Sequence, residues 1–146
     1  MRVLALDPGE RRIGVAISDE LKMIAQPLEF ISAQPFNTFL ERLKELLRTK
    51  EVELVVVGMP RNMDGSYGES AQKVKEFVMV LKEAITIPVK TWDERLTTVQ
   101  AQRLLRESSV KKRKHRQRVD QSAAAILLQS YLDSFAVMDL SGGNEP

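Results

Sequence analysis

The start of this chain limits its fold more than any other stretch. Arg2-Val-Leu-Ala-Leu-Asp7-Pro-Gly9-Glu-Arg-Arg-Ile-Gly14-Val-Ala-Ile-Ser18 holds two short apolar runs, at 3–6 and 13–17. They flank Pro8-Gly9-Glu10-Arg11, and runs this short bounded by Pro and Gly read as two strands joined by a tight turn. Val3, Leu4, Ala5 and Leu6 are all apolar, so the first strand must be covered on both faces, as in the middle of a sheet. Asp7 then ends the run, desolvated on one side and open on the other. A carboxylate so placed either starts a turn, as Asp often does, or has a cation for a partner. Gly9 and Gly14 allow backbone or a ligand to come close.

The rest of the chain supplies the cover. Residues 25–31 alternate loosely and contain Pro27, which suits an edge strand. Apolar residues at helical spacing predict a helix over 36–47, with Asn37 or Thr38 as its N-cap. Leu54, Val55, Val56 and Val57 form a buried strand stopped by Gly58. A turn-rich loop leads to a second amphipathic helix at 69–85, carried by Ala71, Val74, Phe77, Val78, Leu81 and Ile85. A last strand at 88–92 ends in Asp93-Glu94-Arg95. Thr97-Thr-Val-Gln100 is a capping-box pattern opening a third helix to about 107. A fourth helix follows at about 119–135. The order βββαβαβαα predicts an antiparallel meander and two later parallel strands in a five-stranded mixed sheet, with helices on both faces. One domain is expected over 1–135, with a flexible tail at 136–146.

Composition excludes several chemistries. The 146 residues contain no cysteine and one histidine, which removes disulfides, thiolate zinc sites and a Cys nucleophile. No apolar run approaches the ~20 residues of a membrane span, and the first apolar run is too short for a signal peptide, so a cytoplasmic protein without membrane association is expected. Six of the 22 Lys and Arg residues lie at 111–118, so a chain of net charge +2 has a body of −4 and one basic segment. Cations this dense repel one another, and phosphate relieves that repulsion. His115, inside the run, reads as a solvated polar residue rather than a catalytic base.

Acidic residues stand at element ends: Asp7 after the first strand, Asp93 and Glu94 after the last, Asp120 in the first turn of the fourth helix. In α/β sheets chemistry gathers at the carboxyl ends of strands. Converging acids repel unless one protonates or a hard cation binds them. Mg²⁺ or Mn²⁺ held in pairs can activate water and stabilise the leaving oxygen of a phosphodiester. Spacing alone does not choose between Asp93 and Glu94.

Four stretches together resemble the YqgF (RuvX) family: Leu4-Ala-Leu-Asp-Pro-Gly-Glu-Arg-Arg-Ile-Gly-Val-Ala16, Val57-Gly-Met-Pro-Arg-Asn-Met-Asp-Gly-Ser-Tyr-Gly68, Trp92-Asp-Glu-Arg-Leu-Thr-Thr98 and Val119-Asp-Gln-Ser-Ala-Ala-Ala125. That family is described as Holliday junction resolvases and as nucleases that process the 5′ end of the 16S rRNA precursor. The resemblance spans 1–134 and implies a ribonuclease H-like fold, with metal carboxylates Asp7, Glu94 and Asp120 holding Mg²⁺ or Mn²⁺. Resolvases of this fold usually carry a fourth acid one helical turn after the third; here Gln121, Ser122, Ala123 and Ala124 follow Asp120. The expectation is therefore a nuclease acting on structured RNA, as monomer or homodimer. Arg11, Arg12 and Arg61 are expected to contact phosphate near the site, and Lys111, Lys112, Arg113, Lys114, Arg116 and Arg118 further out. The rivals are a resolvase of branched DNA and a nucleic-acid-binding assembly factor without catalysis.

Overall fold

The computed structural model describes residues 1–60, 68–94 and 122–142, with the side chains of the last helix as far as Phe135. Five strands form one sheet: β1 (Arg2–Pro8), β2 (Arg12–Ser18), β3 (Ala25–Ser32), β4 (Val52–Met59) and β5 (Val89–Asp93). Their spatial order is β3-β2-β1-β4-β5. The first three strands pair antiparallel, and β4 is parallel to both β1 and β5. The expected meander, edge strand and parallel pairing are all present.

β1 is central because its side chains are apolar on both faces. Leu4 and Leu6 point to one side and join Ile13, Val15, Val55 and Val57 in the larger core. Two helices, α1 (Phe36–Thr49) and α2 (Glu69–Ala84), cover that side through Phe39, Leu43, Val74 and Leu81. Phe36, Phe39 and Phe77 stack at ring-centroid distances of 5.6 to 6.1 Å, locking α1 to α2. Val3 and Ala5 point to the other side, against Ala124, Leu127, Leu128 and Tyr131 of α3 (Ala123–Gly142). Each fully buried leucine contributes about 1.5–3 kcal/mol of transfer free energy.

α3 is also tied to both edges of the sheet. Ala25 N donates to Gln129 Oε1 at 2.9 Å, and Gln129 Nε2 donates to Met23 O at 2.9 Å, which fixes the entry to β3. Trp92 of β5 donates its indole N–H to Ser130 Oγ at 3.1 Å and meets Tyr131 edge-on, with centroids 5.3 Å apart. On the opposite side, Arg42 of α1 holds Glu29 of β3 with two hydrogen bonds of 2.6 and 2.9 Å.

Several boundaries differ from expectation. α1 is capped by the extended Pro35, whose carbonyl accepts from Phe39 N, and no side chain caps it. Asn37 instead accepts from the adjacent Thr38 N, a local bond inside the first turn. β4 does not stop at Gly58 but runs through it to Met59. α3 begins at Ala123, where Ser122 Oγ accepts from Ala125 N at 3.0 Å, an N-cap bond. Asp120, expected in the first turn of this helix, lies outside the described residues. α3 also runs past Phe135, since neither Gly nor Pro interrupts the chain before Gly142. The expected helix at 97–107 lies outside the described residues.

Ser18 is buried; its Oγ accepts from Val3 N at 2.9 Å and donates to Asp19 O at 2.9 Å. Ser18→Ala would strand the Val3 N–H at the start of the central strand. A loss of about 1–3 kcal/mol is expected, measured as a lowered urea midpoint with unchanged slope.

Candidate active site

The turn between β1 and β2 sets the first carboxylate. Gly9 N donates to Arg12 O at 3.0 Å, and a Cβ on Gly9 would stand 2.6 Å from that same oxygen. The contact is backbone to backbone, so this tight turn needs glycine. Asp7 is thereby held at the carboxyl end of the central strand, paired in register with Gly14 of β2.

Alternation along β5 selects the second carboxylate. Trp92 packs on the α3 side of the sheet, so Asp93 turns to the α1–α2 side, while Glu94, just past the strand end, stands on the α3 side beside Gly58 and Leu127. Val3 and Ala5 place Asp7 on that same side. This parity distinguishes Glu94 from Asp93, which spacing alone did not. Gly58 of β4 lies between: a Cβ there would meet Glu94 Oε1 at 2.8 Å and Leu127 Cδ2 at 3.2 Å. The glycine read from sequence as a strand terminator is the space into which Glu94 folds.

The two carboxyls hydrogen-bond to each other. Burial, then the charge of Asp7, push the Glu94 carboxyl up to about 7, with a smaller contribution from Asp93. Burial also raises Asp7, partly offset by the bond from Glu94. Burial and the charge of Asp7 thus favour the protonated form of Glu94 beside Asp7. Facing oxygens that cannot both ionise cheaply, backed by a glycine that leaves room for them, suit a hard cation in place of that proton. Among the described residues no group of three or more acids, histidines or cysteines is close enough together to hold a metal ion. Asp120 lies outside them, as do Arg61, Lys111, Lys112, Arg113, Lys114, Arg116 and Arg118.

A cleft opens beside the pair, lined by Asp7, Glu94, Gln34, Phe36, Ser70 and Lys73. Lys73 and Ser70, three residues apart on α2, were not anticipated. Their spacing put them on one face of the helix, but nothing in the sequence showed which strand ends that face meets. Arg11 is exposed in the turn. Arg12 is exposed too, and its guanidinium lies over the Phe30 ring, 4.2 Å from the centroid.

The raised pKa of Glu94 makes stability pH-dependent. A free glutamate titrates near 4.5 and Glu94 near 7 in the fold, so the folded state binds the proton more tightly. The site's contribution is then full below about 4.5 and is lost as pH rises through about 7. In EDTA, urea midpoints should fall between pH 4.5 and 7 and level off above. Glu94→Gln should flatten that fall and be the more stable protein at pH 8. Parallel profiles for the two proteins would show that Glu94 does not titrate with a raised pKa.

Comparison with known proteins gives the family and the fold. The family model described as "RuvX: Holliday junction resolvase" matches residues 1–134. A protein of Halothermothrix orenii named "Putative pre-16S rRNA nuclease" is 49% identical over 133 residues, 91% of this chain and 95% of the relative. One of the same name from Desulforamulus reducens is 44% identical over 136 residues, 93% of this chain and 99% of the relative. Among solved structures, Thermus thermophilus RuvC matches with a TM-score of 0.54 at 16% identity, covering 93% of this chain and 97% of that one. That likeness shows the fold, a mixed five-stranded sheet of the RuvC, ribonuclease H-like kind. With the model matching nearly the whole length and relatives close to half identical, the chain belongs to the RuvX family.

Proposed function

We propose that this chain is a divalent-metal-dependent nuclease that hydrolyses a phosphodiester bond in maturation of the 16S rRNA precursor. The observation that carries the reading is the Asp7–Glu94 pair, brought from two strand ends to one face, seated over Gly58 and lining one cleft. The names of the relatives supply the substrate. Mg²⁺ or Mn²⁺, when bound, would polarise phosphate oxygen and lower the pKa of an attacking water.

Asp7 and Glu94 would hold the ion, joined by Asp120 from the segment before Ser122. Both described carboxyls must ionise to do so, which makes the site most receptive above about pH 7. Gly58 keeps Glu94 turned toward Asp7, and Leu127 closes the site on the α3 side. Lys73 presents a cation to the same cleft and would draw a phosphate to it. Arg11, Arg12 and Arg61 would contact the backbone nearby. The segment 111–118 would bind phosphates further out and so steer the substrate electrostatically. Among the described residues no helix is long and apolar enough to cross a membrane, and the cytoplasm is the compartment this reading requires.

The family description favours a second reading, cleavage of branched DNA. Against it stands the absence of an acid among Gln121, Ser122, Ala123 and Ala124. Cleavage of precursor rRNA and of a four-way DNA junction with Mn²⁺, side by side, decides between them. Loss of turnover in Asp7→Asn and in Glu94→Gln is expected, with nucleic-acid affinity of Glu94→Gln within a few-fold of the parent. Cation binding to the folded state should stabilise the parent by about 2.7 kcal/mol at a hundred times Kd, and Asp7→Asn should remove most of that gain. Wild-type melting that ignores millimolar Mn²⁺ and Mg²⁺ would refute the metal site. Retained rRNA maturation in cells carrying Glu94→Gln would favour a binding factor over an enzyme.

A further inference from the structure

Phe30 is a large aromatic residue left 50% exposed on the edge strand β3. Its position is not random. Asp7 pairs with Gly14, and Gly14 pairs with Phe30, so the three form one row across β1, β2 and β3. Paired residues in such a row point to the same face. The middle member has no side chain. A Cβ placed on Gly14 would meet Phe30 Cε1 at 3.4 Å, Ala124 Cβ at 3.6 Å and Asp7 Cβ at 3.7 Å. The ring thus leans over Gly14 toward the carboxylate, and the first turn of α3 bounds it from above. Neighbouring strands lie about 4.7–4.9 Å apart, so Phe30 stands roughly 10 Å from Asp7. Arg12, two residues before Gly14 on the same face, lays its guanidinium on the ring at 4.2 Å.

From this we infer a stacking seat, made by Phe30 and Arg12, for an unpaired nucleobase of the strand whose phosphate is cut at Asp7 and Glu94. The inference rests on the nuclease reading and adds a requirement to it: a nucleotide neighbouring the scissile phosphate is single-stranded. Bases in single strands are recognised by stacking on aromatic rings or on guanidinium planes, and the seat offers a guanidinium plane backed by an aromatic ring. The guanidinium is planar and weakly hydrated, so it can lie between ring and base while its edge N–H groups face the phosphate of the same strand.

The test measures binding without turnover, in Ca²⁺ on the Asp7→Asn background, with the full chain and a short oligoadenylate. Phe30→Leu keeps apolar bulk and removes the π face. It should weaken binding by about 5- to 150-fold, the ~1–3 kcal/mol of one stacked base, with an unchanged salt slope. Phe30→Tyr should bind like the parent. The same oligomer made abasic should bind the parent and Phe30→Leu equally, and so should a blunt RNA duplex. Arg12→Gln should weaken binding and also flatten the log K against log salt slope by about 0.7, one phosphate contact on a single strand. Equal affinity of Phe30→Leu and the parent for oligoadenylate would overturn the seat while leaving cleavage by wild-type protein untouched. A wild type that neither cuts nor binds RNA would instead overturn the nuclease reading and the seat with it. A Phe30→Leu defect that persists on the abasic oligomer would make Phe30 a structural support, and the seat would fall.

Discussion

Everything in this fold follows from the need to keep water off both sides of β1. Leu4 and Leu6 require one apolar layer, Val3 and Ala5 another, and the sheet has to be sandwiched to provide them. α1 and α2 answer the first need and α3 the second. The order β3-β2-β1-β4-β5 puts β1 in the middle, with two strands shielding each of its edges. Asp7 is the first residue along β1 at which this cover ends. A charged group is thus delivered to the boundary between a dry sheet and an open cleft by the same strand that organises the core.

That delivery has an energetic side. Two carboxyls brought within hydrogen-bonding distance and partly buried cannot both be charged without cost, and the raised Glu94 pKa expresses it. The surrounding fold imposes the arrangement through Gly58 below Glu94, the Gly9 turn behind Asp7 and Leu127 above. Strain of this kind persists only where the neighbouring structure over-determines the geometry, and it is typical of sites built for a cation or a reaction.

The elements were legible in sequence because each rests on short-range patterning. Continuous apolar runs marked β1 and β4, Pro27 marked the edge strand, and helical spacing marked α1 and α2. Strand directions followed from connection lengths. What sequence did not contain was parity across strands. Asp93 and Glu94 are neighbours in sequence but opposite in space; the family resemblance named Glu94, and the physical reason lies in the pairing of Gly58 with Trp92, which no local pattern contains. Gly58 itself looked like a stop signal because a glycine in a strand and a glycine after one read alike. Phe30 escaped notice for a related reason: on an edge strand both faces carry mixed residues, so its place in the row with Asp7 needs the register of two hairpins. Lys73 needed the docking of α2, which no local pattern encodes. The start of α3 was misplaced because Val119 and Asp120 are compatible with a helix, whereas Ser122, buried and bonded to Ala125 N, is what begins it.

Both glycines of the site lie beneath one helix. Gly14 is roofed by Ala124 and Gly58 by Leu127, residues three apart and so on one stripe of α3. The height of that helix above the sheet therefore sets two clearances at once, the gap in which Phe30 leans toward Asp7 and the gap in which Glu94 turns to meet it. Bulk added at either glycine raises the same roof and disturbs the other gap. The two halves of the site share one free volume, so sequence drift at one should be tolerated only in step with the other. Such variation would show up as paired changes among positions 14, 58, 124 and 127 rather than as single ones.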